Sequence, residues 1–71
     1  MAIEVKAHIT GTVWKIECKV GDAVREGDVL LILESMKMEI PVEAPEDGTV
    51  AEIRTQEGAP VADGTVVAVL A

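Results

Sequence analysis

The chain has 71 residues and a mass of 7.5 kDa, enough for one domain whose core is close to the smallest that folds alone. Its 6 basic and 13 acidic side chains give a formal net charge of −7, which argues against nucleic acid or an anionic membrane as a partner. One Cys and one His cannot form a disulfide or a zinc site, and a single Trp without Phe or Tyr offers no platform for stacking bases.

Membrane and catalytic functions are also disfavoured. The longest apolar run, residues 66–71, is far shorter than the roughly 20 residues of a membrane helix. The first residues do not form a basic segment followed by an apolar one, so we expect a cytoplasmic protein. A domain this small leaves little volume for a catalytic pocket, and we expect a protein that is not an enzyme.

Apolar residues alternate with polar ones or form short blocks between turns, which is typical of strands. In chain order the pattern predicts strands at residues 3–5, 12–18, around 24, 29–34, 40–42, 49–55, around 61 and 66–70. Pro41 favours a sheet edge for the fifth strand. Four short strands in each half predict an all-β sandwich or flattened barrel. The predicted core consists of Ile3, Val5, Val13, Ile16, Val20, Val24, Leu31, Leu33, Ile40, Val42, Val50, Ile53, Val61, Val66 and Leu70.

The sequence contains an internal repeat. Residues 1–34 align without a gap with residues 38–71, and thirteen of the aligned pairs are identical. Three pairs of glycines match, and glycine in register suits a positive φ or a tight reversal. We therefore predict two halves that fold alike, related by a pseudo-twofold axis, with residues 35–37 between them. The matched glycines are Gly11 and Gly48, Gly21 and Gly58, and Gly27 and Gly64.

The turn between the two halves has unusual residues. The flanking strands must reverse at Met36 and Lys37, but a two-residue hairpin turn prefers Asn-Gly or Gly-Gly because both positions need a positive φ. A broken local rule of this kind is typical of a functional site. Lys37 would lie at an exposed tip between the thioethers of Met36 and Met38, which suits acylation of its amine by a partner enzyme. The alternatives are that the methionines fold back onto the sheet and that the lysine is merely solvated.

The segment ESMKME at residues 34–39 resembles the attachment motif of biotin carboxyl carrier domains. Residues 41, 44–45 and 48–50 and the two glycine turns within 20–28 are similar to the same family, so the resemblance covers the whole chain, residues 1–71. It implies a biotinyl/lipoyl-attachment domain, a flattened β-barrel of two four-stranded antiparallel sheets with quasi-twofold symmetry. By the same resemblance Lys37 carries covalent biotin, and Met36 and Met38 are recognised by biotin protein ligase.

The resemblance further implies a carrier that takes carboxybiotin from a biotin carboxylase to a carboxyltransferase. One alternative is a lipoyl carrier, or an acceptor of both groups, with lipoate on Lys37 and a lipoyl ligase as partner. Another alternative is an unmodified β-module that only binds a partner. Outside this motif we expect Trp14 to be packed in the fold and Cys18 to be a buried thiol on a strand.

Overall fold

The computed structural model describes residues 2–71, which form eight β-strands. The strands are β1 (Ile3–Lys6), β2 (Gly11–Ile16), β3 (Ala23–Val24), β4 (Val29–Ser35), β5 (Met38–Glu43), β6 (Gly48–Ile53), β7 (Pro60–Val61) and β8 (Val66–Leu70). All their pairings are antiparallel. The predicted all-β class is confirmed, including the two very short strands.

The strands form two four-stranded sheets that enclose one core. The first has the order β1-β8-β6-β3 and contains both terminal strands, so we call it the terminal sheet. The second has the order β5-β4-β2-β7 and contains the hairpin between the two halves, so we call it the hairpin sheet. Pro41 lies on β5, at an edge of the hairpin sheet, as its missing N–H requires.

The backbone hydrogen bonds repeat at a shift of 37 residues. Ala7 N–H donates to Thr65 O at 2.9 Å, and Ala44 N–H donates to Asp28 O at 2.8 Å. In each bond the donor and the acceptor belong to opposite halves of the chain, so the two halves are hydrogen-bonded to each other. The sheet orders obey the same relation, because exchanging the first four strands with the last four converts one sheet into the other.

Four of the six paired glycines have the left-handed backbone that the sequence predicted, with φ between 89° and 97°. Gly11 and Gly48 are conserved between the halves for a different reason, which is space. A Cβ on Gly11 would lie 2.5 Å from the carbonyl oxygen of Glu34, and one on Gly48 would lie 3.0 Å from that of Ala71. Each of these glycines allows a strand to pass close to a neighbouring backbone.

Most residues of the predicted core are buried or half-buried. The prediction for Val20 is wrong: this residue is 63% exposed, because it lies in the turn before β3. The strands predicted for residues 12–18 and 49–55 each end two residues early, at Ile16 and Ile53. After Ile16 the chain bends, and Asp22 N–H donates to Lys19 O at 3.0 Å to close that turn.

The sequence pattern also missed several core residues. Two of them, Leu30 and Val67, occupy β-bulges, where the register advances by two residues on one strand and one on its partner. A bulge interrupts the strict alternation of side chains, so two successive residues face inward. The buried apolar residues outside the predicted set are Ala7, Cys18, Leu30, Ala44, Val67, Ala68 and Val69.

Candidate functional site

The hairpin that joins β4 to β5 turns on Met36 and Lys37. Ser35 and Met38 are paired across it, and both turn residues are left-handed, with φ of 52° at Met36 and 66° at Lys37. Two successive left-handed residues are the geometry of a type I′ turn. Because a side chain in this region costs about 1–2 kcal/mol, the chain gives up stability to place Met-Lys here.

The side chains of the turn point into solvent. Met36 is 91% exposed and Met38 is 63% exposed, so neither folds back onto the sheet. Lys37 is exposed between them, and it forms no salt bridge with any residue in the described range 2–71. The structure thus brings the three predicted residues together, with Lys37 exposed at the tip.

The base of the hairpin contacts the loop between β1 and β2. The Ser35 hydroxyl donates a hydrogen bond to Thr10 O at 3.0 Å. Beside it, Gly11 passes so close to the Glu34 carbonyl that a side chain would not fit. These contacts fix the strand ends while the two residues between them remain exposed. The Ser35 bond was not predicted from the sequence.

The other lysines lie in different settings. Lys6 and Lys15 are exposed on β1 and β2, and Lys15 Nζ lies 3.6 Å from Glu17 Oε1. Lys19 is exposed in the turn after β2. Lys37 alone of the four has a left-handed backbone.

Within residues 2–71 no three His, Cys, Asp or Glu side chains are grouped as metal ligands, and no helix is long and apolar enough to cross a membrane. Cys18 is buried as predicted, but it lies beyond the end of β2 and not on a strand. Burial, and to a smaller extent the nearby Asp22 carboxylate, raises the pKa of the Cys18 thiol above its ordinary value of 9.0. The thiol therefore stays protonated at neutral pH and is a poor nucleophile.

Trp14 was expected to be packed, and this prediction is wrong. The side chain is 48% exposed, because Trp14 is the extra residue of a bulge on β2, between the pairs formed by Val13 and Lys15 with β4. The repeat contained a signal, because the matching position in the second half is the small residue Ala51. A core position would not be expected to change volume so much between two copies of one fold.

The comparisons with known proteins agree with the fold and with the family that the sequence resembles. The model of a family described as biotin-requiring enzyme, with the biotin/lipoyl attachment domain, matches residues 1–70. The chain is 44% identical over 62 residues to the biotin/lipoyl attachment protein of Bacillus subtilis, which covers 87% of this chain and 85% of the relative. It is 41% identical over 70 residues to a biotinylated protein TB7.3 homolog of Mycobacterium leprae, covering 99% of both. The chain belongs to the biotin/lipoyl attachment family.

The fold is also found inside much larger enzymes. The urea carboxylase of Kluyveromyces lactis contains a region that superposes with a TM-score of 0.95 at 38% identity, over 100% of this chain. This chain spans only 6% of that protein. The domain is therefore homologous to a region of this larger carboxylase.

Proposed function

We propose that Lys37 is acylated with biotin and that the domain carries this group between the active sites of a biotin-dependent carboxylase. The observation that supports the proposal most directly is the hairpin tip, where a strained type I′ turn holds one lysine outward between two exposed methionines. A lysine that was merely solvated would not require the left-handed backbone that Met36 and Lys37 adopt.

The acylation has simple requirements. A bond forms between Lys37 Nζ and the carboxyl carbon of biotin, while the bond from that carbon to an activating group breaks. The ammonium gives up two of its three protons and the amide nitrogen keeps the third, so the formal net charge of the chain changes from the −7 of its sequence to −8. Within residues 2–71 no carboxylate forms a salt bridge with Lys37, so a biotin protein ligase supplies both the activated acyl group and the base. Exposed Met36 and Met38 offer this ligase a polarisable apolar surface on each side of the amine.

Once loaded, the domain acts as a tether and performs no chemistry of its own. When bound, biotin supplies the nitrogen that accepts and donates the carboxyl group, at the partner enzymes. The braced base of the hairpin holds the attachment point fixed, while the lysine side chain lets the group move. A tether of this kind gives the group a high effective concentration at each docked site, here a biotin carboxylase and a carboxyltransferase.

The decisive measurement is mass spectrometry of the protein purified from its own cells, with the modified peptide mapped. We expect a biotin increment on Lys37, and loss of that increment in Lys37→Arg. Lys6→Arg is the matched control, because it changes another exposed lysine, on the terminal sheet, and should leave labelling intact. Biotin that persists in Lys37→Arg would assign the attachment to another residue.

The same measurement tests a lipoyl carrier, which the name of the Bacillus subtilis relative keeps open. The hairpin geometry suits both groups, because biotin and lipoate are each attached through an amide to a lysine amine, and Lys37 is exposed. A lipoyl increment on Lys37 without biotin would replace the biotin proposal, and an unmodified mass would support a β-module that only binds a partner.

A further inference from the structure

The outer face of the hairpin sheet has an exposed apolar surface that we call the Trp14 patch, formed by Trp14, Ile32 and Pro41. Side chains alternate along β4, so Ile32 lies on the outer face between buried Leu31 and Leu33. Pro41 on β5 pairs with Ile32, which places it on the same face. Trp14 is the bulge residue of β2 next to this row and is 48% exposed.

The matching surface of the terminal sheet shows a closed arrangement, in which a charged side chain covers the central apolar residue. The residues at the matching positions are Ala51, Val69 and Glu4. Val69 is only 4% exposed although it also lies on an outer face. Arg54 accounts for this, because its guanidinium lies 3.9 Å from Glu4 on one side and 3.4 Å from Glu52 on the other. The side chain thus extends across the strand that contains Val69.

The hairpin sheet lacks the charge at the far end of this cover. Lys15 and Glu17 occupy the positions of Glu52 and Arg54 and form an ion pair of inverted sign, 3.6 Å apart. The position of Glu4 is occupied by Pro41, which has no charge to hold a bridging side chain. Ile32 therefore stays half-buried. Trp14 is exposed, as its counterpart Ala51 is on the terminal sheet. Since the terminal sheet folds with the closed arrangement, the fold itself does not require the exposed one.

The charges beside the patch define what would fit it. Glu39 and Glu43 lie two residues on either side of Pro41, all three are exposed, and alternation places them on one face. On the other side Lys15, which pairs with Ile32 from β2, forms a salt bridge with Glu17, so these two charges balance. An apolar surface with an acidic border along β5 fits a protein surface that presents apolar or aromatic side chains beside Arg or Lys.

We propose that the Trp14 patch is the surface on which the enzyme that acylates Lys37 docks. This inference rests on the proposed function. Before it is loaded, Lys37 can offer only its own side chain, so the acylating enzyme must come close to the hairpin. A standard interface takes about 800 Å² from each partner. The domain exposes 4493 Å² in all, so such a footprint would cover almost a fifth of it.

A turn of two residues cannot supply that area, and the interface must continue along the hairpin sheet. The inner face of this sheet is the core, which leaves the outer face. Ile32 lies five residues from Lys37, or about 16 Å at the rise of a strand. A circular footprint of about 800 Å² also has a radius of roughly 16 Å, so it reaches the patch. After loading, biotin extends beyond the lysine side chain, so a carboxylase active site can reach it without an equally large contact around the hairpin.

The test measures biotin transfer by purified biotin protein ligase to the unmodified domain, with ATP and biotin in excess. We expect Trp14→Ala to lower kcat/KM about 10- to 30-fold, mainly through KM, because a buried interface Trp commonly contributes that much. The matched control is the double variant Trp14→Ala with Ala51→Trp, which moves the tryptophan to the same bulge of the terminal sheet. We expect it to be as impaired as the single variant.

A second variant, Pro41→Glu, inserts the residue that the terminal sheet has at this position and should also lower kcat/KM at least 10-fold. Thermal unfolding checks that each variant is folded, and labelling of Lys37 by an activated biotin ester without enzyme should stay within twofold of wild type. Unchanged ligase kinetics, or full rescue by the double variant, would overturn the inference. Normal loading with slow carboxylation would also overturn it and assign the patch to the carboxylase. Failure of the proposed function differs, because wild type itself would then not be labelled.

Discussion

Replacing Met36-Lys37 by Asn-Gly should make the domain more stable. Both residues have a left-handed backbone, with φ of 52° and 66°. That conformation costs an ordinary side chain about 1–2 kcal/mol, and Asn-Gly is the pair that type I′ turns prefer. Asn at position 36 removes part of this conformational cost and Gly at position 37 removes all of it. Gly also loses more backbone freedom on folding, which lowers the free energy of unfolding by about 0.5–1 kcal/mol. The free energy of unfolding should rise by about 1–2 kcal/mol.

The assay is thermal unfolding followed by circular dichroism. The entropy of unfolding is about 2.1 cal/mol/K per residue, so each kcal/mol moves the Tm of a domain of this size by roughly 7 °C. We expect the Tm to rise by roughly 7–14 °C. Lys37→Ala is the control, because it removes the amine but keeps a side chain at φ of 66° and should leave the Tm nearly unchanged. An unchanged Tm in the Asn-Gly variant, or an equal rise in Lys37→Ala, would refute the idea that backbone strain is the cause.

Three further predictions concern the rest of the domain. Gly11→Ala should lower the free energy of unfolding by about 1–3 kcal/mol in a urea titration, because its Cβ would lie 2.5 Å from the Glu34 backbone oxygen. Leu33→Ala should cost about 2–5 kcal/mol in the same assay, since Leu33 is fully buried. At pH 8 a disulfide reagent should modify Cys18 at least 10-fold more slowly in the folded protein than in urea, because burial and Asp22 raise its pKa.

Each of these predictions has a control within the chain. Gly48→Ala should be milder than Gly11→Ala, since its Cβ would meet a carbonyl oxygen at 3.0 Å; the reverse order would contradict the steric argument. Val20→Ala removes a 63% exposed side chain and should cost far less than the Leu33 change. For Cys18, a pKa raised above 9.0 means that the contribution of the neutral thiol to stability is present below that pH and is lost as the pH rises through the folded value. A stability that rose above pH 9 would contradict this sign.

The tip of the hairpin was predictable from the sequence, because its residues do not match the preferences of a two-residue turn. Two-residue turns have a short list of suitable residues, and Met36-Lys37 is not among them. The fold class followed from the glycines in register and from strand-length apolar blocks. The bulges were not predictable, because they depend on which residue of a partner strand is skipped. Leu30 and Val67 were missed for that reason.

Exposure on the outer faces could not be predicted from one strand at a time. Val69 is buried because Arg54, two strands away from Glu4, reaches across it, and that contact depends on three strands being adjacent. Ile32 on the hairpin sheet stays half-buried, because Pro41 has no charge that would hold such a side chain across it. The apolar character of both residues was visible in the sequence, but the cover over one of them was not.

The two halves differ where the shared fold leaves the residue free, and several of these differences lie on the outer faces of the two sheets. Both copies need the same glycines and the same cross-strand bonds, so those positions match. The fold does not require particular residues on the outer faces of the sheets. There the terminal sheet has Arg54 and Glu4 where the hairpin sheet has Glu17 and Pro41. A domain selected only for stability would gain from closing both faces alike. The open face lies on the sheet that contains Lys37, which is where a partner that acts on that lysine would have to bind.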